Sequence, residues 1–281
     1  IAPREKEEII PFEKYIKGQY DDINNYDIFH FHDISSSVTS HTIKYLSNQN
    51  KNIIWTLHDC SAVTGGCIYP LECEKFKNIC FRCPQLGSFP LARNVDLTFL
   101  FQQIKKNLHK TAKIHYVTPS KWMADFAYNS GLLKQYPTII SNGVDVNIFK
   151  NHDKNKMRKE LNLPLDRFII LLSSSGFDNP YKGIPYAIEV IKLLKKINPY
   201  ILMVGKSDSK ITSLLNEFDK FETGYINDKV NLNKYYASAD IFLNTTIAEV
   251  QSIASLESMA SGTPVFGFYT GGLPEIITQN E

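Results

Sequence analysis

Apolar runs of strand length alternate, along most of the chain, with stretches whose apolar residues recur at helical spacing. The runs at 28–32, 52–57, 114–118, 168–173, 200–204, 241–244 and 263–267 read as strands. Between them, 35–46, 120–129, 184–196, 210–218, 232–239 and 253–260 read as helices, and Ser120 is suited to cap the one that follows it. Strand and helix in strict alternation predict an α/β fold of parallel sheets with helices on both faces. The alternation stops twice. Residues 64–95 form a long irregular insert, and 142–164 are polar and charged like an interdomain connection, which puts a boundary near residue 150. The expectation is two doubly wound, Rossmann-like domains: 1–150, carrying the insert, and 151–281, facing a central cleft. Such sheets bind ligands beyond the carboxyl ends of their strands, so the chemistry is expected in loops directly after strands.

Composition narrows the picture. At 281 residues, the length suits two domains of about 100–200 residues each. A net charge of +2, with the aromatic residues scattered rather than set in a basic stripe, gives no reason to expect nucleic acid as a partner. No apolar run approaches the ~20 residues that span a bilayer. The chain opens Ile1-Ala2-Pro3 and stops at Asn280-Glu281 in mid-pattern, so it reads as part of a longer protein with both domains incomplete.

The strongest chemical signal follows the strand at 241–244. Glu249 lies in a loop before a helix, Glu257 lies within that helix, and seven residues separate them. The amides around Ser252 and Ile253 are first-turn donors suited to a phosphate, and a carboxylate beyond them can accept hydrogen bonds from sugar or ribose hydroxyls. A single Glu at a helix start would do no more than answer the helix dipole. The string continues, however, through Met259-Ala260-Ser261-Gly262-Thr263-Pro264-Val265 into Gly271-Gly272-Leu273-Pro274-Glu275.

Together these residues resemble the donor-site signature of glycosyltransferase family 4, which has the GT-B fold. The resemblance implies that Glu249 contacts the donor sugar and Glu257 the nucleotide ribose, with Gln251, Ser252 and Ile253 near the phosphates. The family usually has an aromatic residue and Gly where this chain has Gln251-Ser252. A second element, Ser173 to Gly183, follows a predicted strand. Its small, Gly-containing loop lets amides approach an anion, and Lys182 adds a point charge. It is similar to the family's Lys-Gly phosphate motif, which implies that Gly176, Lys182 and Gly183 bind the diphosphate and that Lys182 neutralises it as it leaves. The Arg usual upstream is missing. Gly205-Lys206-Ser207 also follows a strand, but residues this common carry little.

In the first half, Thr56-Leu57-His58-Asp59 ends a strand and looks like the family's active-site loop. The resemblance places His58 near the reacting sugar, with Asp59 orienting it or binding acceptor hydroxyls. His30 and His32 share one strand face, a geometry open to metal, but no third ligand is evident and a structural or acceptor-side role is favoured. Ser141-Asn142-Gly143-Val144-Asp145 is similar to the family's interdomain link, with Ser141 replacing the common Pro.

Cys67, Cys73, Cys80 and Cys83 fall within 17 residues, and Cys60 stands apart. Four thiols at this spacing fit a structural zinc site, which is favoured, while disulfides and free thiols stay open. The segment from Thr64 to Leu86 also resembles a bacterial subgroup acting on surface polysaccharides.

The expected activity is transfer of a sugar from a UDP- or GDP-linked donor to a glycan or lipid-linked acceptor, with His58, Glu249 and Lys182 catalytic. No Asp-x-Asp occurs, so transfer should need no divalent metal or other catalytic cofactor, and family resemblance implies retention at the anomeric carbon. The expectation is a cytoplasmic protein, with peripheral contact at the inner face of the membrane through an acceptor lipid left open. A non-catalytic sugar-nucleotide-binding subunit and a sugar-nucleotide epimerase are the rivals. A dehydrogenase fits worst, because no Gly-x-Gly-x-x-Gly follows a predicted strand.

Overall fold

A computed structural model describes residues 25–32, 34, 38–91, 95–206 and 209–277. The chain divides into two compact units, Ile1–Ser141 and Asn142–Glu281.

In the first unit, β1 (Ile28–Phe31), β2 (Asn52–Thr56), β3 (His115–Thr118) and β4 (Thr138–Ile139) pair in that order, all parallel. The crossover helices are α1 (Ser40–Asn48), α2 (Thr98–Thr111) and α3 (Lys121–Asn129). α1 begins later than the helix expected from residue 35, because Thr39 and Thr42 close a capping box there; residues 35–37 lie outside the described set. Ser120 caps α3 by accepting from Met123 N.

α2 was not visible in the apolar pattern, and its buried face shows why. Gln102, Lys105 and His109 lie on one side of the helix, each no more than 4% exposed. Gln102 accepts from Cys80 N and donates to Phe76 O, both at 2.8 Å. Lys105 Nζ donates to Ser61 O at 2.7 Å, and His109 Nε2 donates to Ala62 O at 2.8 Å. These side chains hold the irregular insert and the residues leading into it, with one short 3-10 turn, Ser61–Val63, just before it and another, Lys75–Lys77, within it.

The second unit contains α4 (Lys154–Glu160), β5 (Ile169–Gly176), α5 (Ile184–Leu193), β6 (Tyr200–Lys206), α6 (Ser209–Ser213), β7 (Lys220–Glu222), α7 (Lys229–Ser238), β8 (Ile241–Asn244), α8 (Ile253–Ala260) and β9 (Val265–Gly267). Its sheet runs β7-β6-β5-β8-β9, all parallel. Strand residues alternate between two cores, as a pleat requires. Ile170, Leu172, Ile201 and Met203 pack with Ile184, Ala187, Ile188 and Ile191 of α5. Ile169, Leu171, Leu202 and Val204 pack on the other face with Tyr236 of α7 and Met259 of α8. Val144, Ile148 and Phe149, from the stretch read as a connection, join this second core.

α4 also falls in that stretch. Among the residues of this lysine-rich helix, only Met157 and Arg158 are buried, so it shows no apolar stripe. Arg158 reaches inward to Asp240 at 2.7 Å and to the carbonyl of Ser238 at 2.9 Å. Asp240 also accepts from Ile169 N at 2.7 Å and Lys154 Nζ at 2.8 Å, joining α4 to the starts of β5 and β8.

Candidate functional site

In the second unit β5 lies between β6 and β8, so the crossovers leave it in opposite directions and the switch point falls between β5 and β8. Three stretches of sequence converge beyond the carboxyl ends of these strands.

The first leaves β5 through Gly176 and enters a 3-10 turn, Pro180–Lys182, capped by the Asn179 side chain. Gly183 follows with φ +61°, and a Cβ on it would stand 2.0 Å from Thr245 O. Only glycine allows the Lys182 loop to lie this close to the chain leaving β8. The second stretch carries Glu249, whose Oε2 accepts from Lys182 Nζ at 2.9 Å; the two side chains are 15% and 29% exposed. The third, Gly271-Gly272, packs on the backbone of Glu249. Gly272 N donates to Glu249 O at 3.0 Å, and Gly271, at φ +57°, would bring a Cβ to 1.8 Å from the same oxygen.

Ser252 caps α8 by accepting from Ser255 N, and Asn244 Nδ2 donates to both serine hydroxyls. The amides of Ile253 and Ala254 have no acceptor among the described residues, which leaves a first turn able to meet an anion. One turn further on, half-buried Glu257 accepts from the Tyr236 hydroxyl at 3.3 Å. Burial pushes its carboxyl above the usual range, while the Tyr236 hydrogen bond and the Lys229 charge act the other way.

Lys182, Gly183, Glu249, Ser252, Ile253 and Glu257 thus lie on the loops and first helical turns at this switch point. Gly176 ends β5 beside them, its N–H donating to Ser174 Oγ. Gln251 is placed differently from the expectation. It is buried, and its Oε1 accepts from Asn142 N at 2.6 Å, so it anchors the chain where the second unit begins. Ser207 lies outside the described residues. Asn244 and Tyr236 were missed, since a strand-end amide and a helical tyrosine amid apolar neighbours carry no motif.

In the first unit, three imidazoles gather at the carboxyl ends of β1 and β2. His32 Nδ1 and His58 Nε2 share a hydrogen bond of 2.9 Å, with the rings stacked at 5.2 Å. His30 lies 4.2 Å from His32, centroid to centroid, and bonds Thr56 Oγ1 at 2.8 Å. Burial, and then the neighbouring His32 charge, lower its pKa. Asp59 accepts from Ser61 N at 2.7 Å and turns the chain into the insert. Asp33 is outside the described residues.

The clustered cysteines come together in the insert. Cys67, Cys73, Cys80 and Cys83 do line one small pocket, of about 20 Å³, with Phe76 and Leu91. All are free thiols, and among the described residues no group of three or more His, Cys, Asp or Glu is placed to hold a metal ion. Burial pushes Cys67 up to about 12 and Cys80 up to about 11. The insert and the residues leading into it are held by Gln102, Lys105 and His109, and by Phe76 stacked 4.5 Å from Phe126.

Two parallel α/β sheets with this switch-point site define the class: the architecture is that of GT-B glycosyltransferases. Residues 153–281, within the second unit, match the family "Glycosyl transferases group 1". Among curated relatives, the putative colanic acid biosynthesis glycosyl transferase WcaC of Escherichia coli is 33% identical over 97 residues, 34% of this chain and 24% of that protein. The glycogen synthase of Thermotoga petrophila is 30% identical over 139 residues, 46% of this chain and 28% of the enzyme. The chain thus spans about a quarter of the length of these relatives. Sucrose-phosphate synthase from Thermosynechococcus elongatus aligns with a TM-score of 0.69 at 23% identity, covering 94% of this chain and 62% of the other. Anabaena Alr3699/HepE, solved in complex with UDP and glucose, aligns at 0.66 and 15% identity, over 96% and 67%. No helix among the described residues is long and apolar enough to cross a membrane.

Proposed function

We propose that this chain is the catalytic body of a retaining glycosyltransferase that moves a sugar from a nucleoside diphosphate donor to a glycan or lipid-linked acceptor in polysaccharide synthesis. The observation that carries the reading is the meeting of Lys182, Glu249 and the first turn of α8 at the switch point of the second unit, inside the stretch that matches the group 1 family. In this reading the second unit holds the donor and the first unit supplies the acceptor side.

Departure of the diphosphate builds negative charge on its oxygens and oxocarbenium character on the sugar. The amides of Ile253 and Ala254 and the Lys182 ammonium supply positive charge fixed in place before reaction, so no divalent ion is needed. Glu249 holds Lys182 in position while the site is empty, and turns to the sugar hydroxyls when the diphosphate takes over the ammonium. His58, tied to His32, serves the acceptor side, and Asp59 shapes the loop behind it. The donor is a UDP, GDP or ADP sugar. Its meeting with a lipid-linked acceptor would place the protein at the cytoplasmic face of a membrane.

Binding titrations of UDP, GDP and ADP, with and without a sugar, test this reading. We expect selective binding by one base, weakened by Lys182→Ala and by Glu257→Ala. Failure of all three nucleotides to bind the folded chain refutes the donor site. Binding without donor hydrolysis or transfer favours the non-catalytic subunit instead.

A further inference from the structure

The two motifs of the proposed donor site, the loop after β5 and helix α8, are joined behind the surface by one side chain. Tyr236 sits on α7, a stretch of no motif, and is 1% exposed. Its ring is held edge-on between Phe149 and Phe242, each at 6.2 Å between centroids. Its hydroxyl ends between Ser173 Oγ at 2.9 Å, at the carboxyl end of β5, and Glu257 Oε2 at 3.3 Å on α8.

The proton arrangement follows from chemistry. A phenol has one proton, and an ionised carboxylate only accepts. Tyr236 therefore donates to Glu257, and Ser173 donates to the Tyr236 oxygen. With Oε2 held from behind, the Glu257 carboxylate is restricted in its rotation and keeps Oε1 for a partner in front. A carboxylate held in this way meets a vicinal diol without first losing side-chain freedom.

We infer that Tyr236 is a positioning residue for ribose recognition: through its hydroxyl it orients Glu257 toward the sugar diol of the nucleotide and links that contact to the loop after β5. The inference rests on the proposed role of Glu257, and its test separates the two.

The probe is whichever of UDP, GDP and ADP binds tightest, compared with its 2′,3′-dideoxy analogue by calorimetry. The native chain should prefer the ribonucleotide by about tenfold or more, the usual scale of a hydrogen bond to a charged group. Tyr236→Phe keeps the ring and removes only the hydroxyl. It should bring the preference to within about threefold while leaving affinity for the dideoxy analogue nearly unchanged. A ring that merely fills the core would keep the preference, or would weaken both ligands equally, and either result overturns the inference. Ser173→Ala, a milder change that does not depend on Tyr236→Phe folding, should reduce the preference in the same direction; an unchanged preference there also counts against the linkage. Glu257→Gln separates the layers. Loss of the preference in Glu257→Gln but not in Tyr236→Phe sinks the positioning role alone, whereas a preference retained in Glu257→Gln, or no nucleotide bound at all, sinks both readings.

Discussion

Replacing Asp240 by Asn should destabilise the second unit by about 3 kcal/mol at neutral pH, the lower end of the range for breaking a buried ion pair. The carboxylate is 20% exposed, while its partner Arg158 is only 4% exposed. In the variant the guanidinium keeps its bonds to the carbonyls of Ser238 and Arg167 but loses its counter-charge. Asn also offers one acceptor oxygen where the carboxylate offers two, so the bonds from Lys154, Arg158 and Ile169 N no longer all form. Burial pushes the Asp240 pKa up, but the bonds from Lys154, Ile169 N and Arg158 and the guanidinium charge outweigh it and leave the pKa below 3.8. A lowered carboxyl pKa gives stability that is present above the unfolded value and lost as pH falls through the folded value. The gap between native and variant protein should therefore stand at pH 7 and narrow below 3.8. Urea melts at pH 7 and pH 3, followed by far-ultraviolet dichroism, read both quantities. A loss under about 1 kcal/mol at pH 7 would place the pair among weak surface contacts, and a gap that does not narrow at all between pH 7 and pH 3 would show that its charge is not what matters.

Gly271→Ala should weaken donor binding by about tenfold or more, because a Cβ 1.8 Å from Glu249 O forces apart the turn that sets this glutamate. The left-handed φ of +57° adds about 1–2 kcal/mol of strain, so a titration should be read beside a thermal melt; unchanged affinity would show that the turn does not position Glu249. His109 is buried and neutral, with burial lowering its pKa from 6.5 to about 4. Below pH 6.5 the unfolded chain takes up a proton that the native state refuses until about 4, so stability should rise with pH across that window by roughly 3 kcal/mol. His109→Asn should lack that slope in pH-dependent urea melts, and an unaltered slope would assign the acid sensitivity to another group.

The strands most legible from the amino-acid pattern are those whose packing is apolar on both faces. β5 and β6 place successive residues in opposite cores, so their runs read as strands buried on both faces. α8 was legible from the apolar spacing of 253–260 after the Glu249 loop, while its Ser252 cap was not, and the meeting of Lys182 with Glu249 was anticipated only as two separate motifs. α2 escaped because Gln102, Lys105 and His109 interrupt its apolar stripe, and those polar residues are the ones that carry its load. β4 and β7, of two and three residues, are too short to show a period. Tyr236 looked like any buried aromatic, because its hydroxyl finds Ser173 and Glu257 only after the sheet has formed. The cysteine spacing pointed to thiols that meet, as they do around one pocket, but it does not report that a neighbouring helix supplies hydrogen bonds to the same backbone.

The thiol-lined pocket of the insert also keeps time. Cys60, Cys67 and Cys80 are buried, and burial holds their pKa values high, so at neutral pH they are both shielded and poorly nucleophilic. A maleimide or disulfide reagent can reach them only when the segment lifts from α2. Their alkylation rate therefore reports how often that segment opens, without any label being introduced, and separately from global unfolding of the sheet behind it.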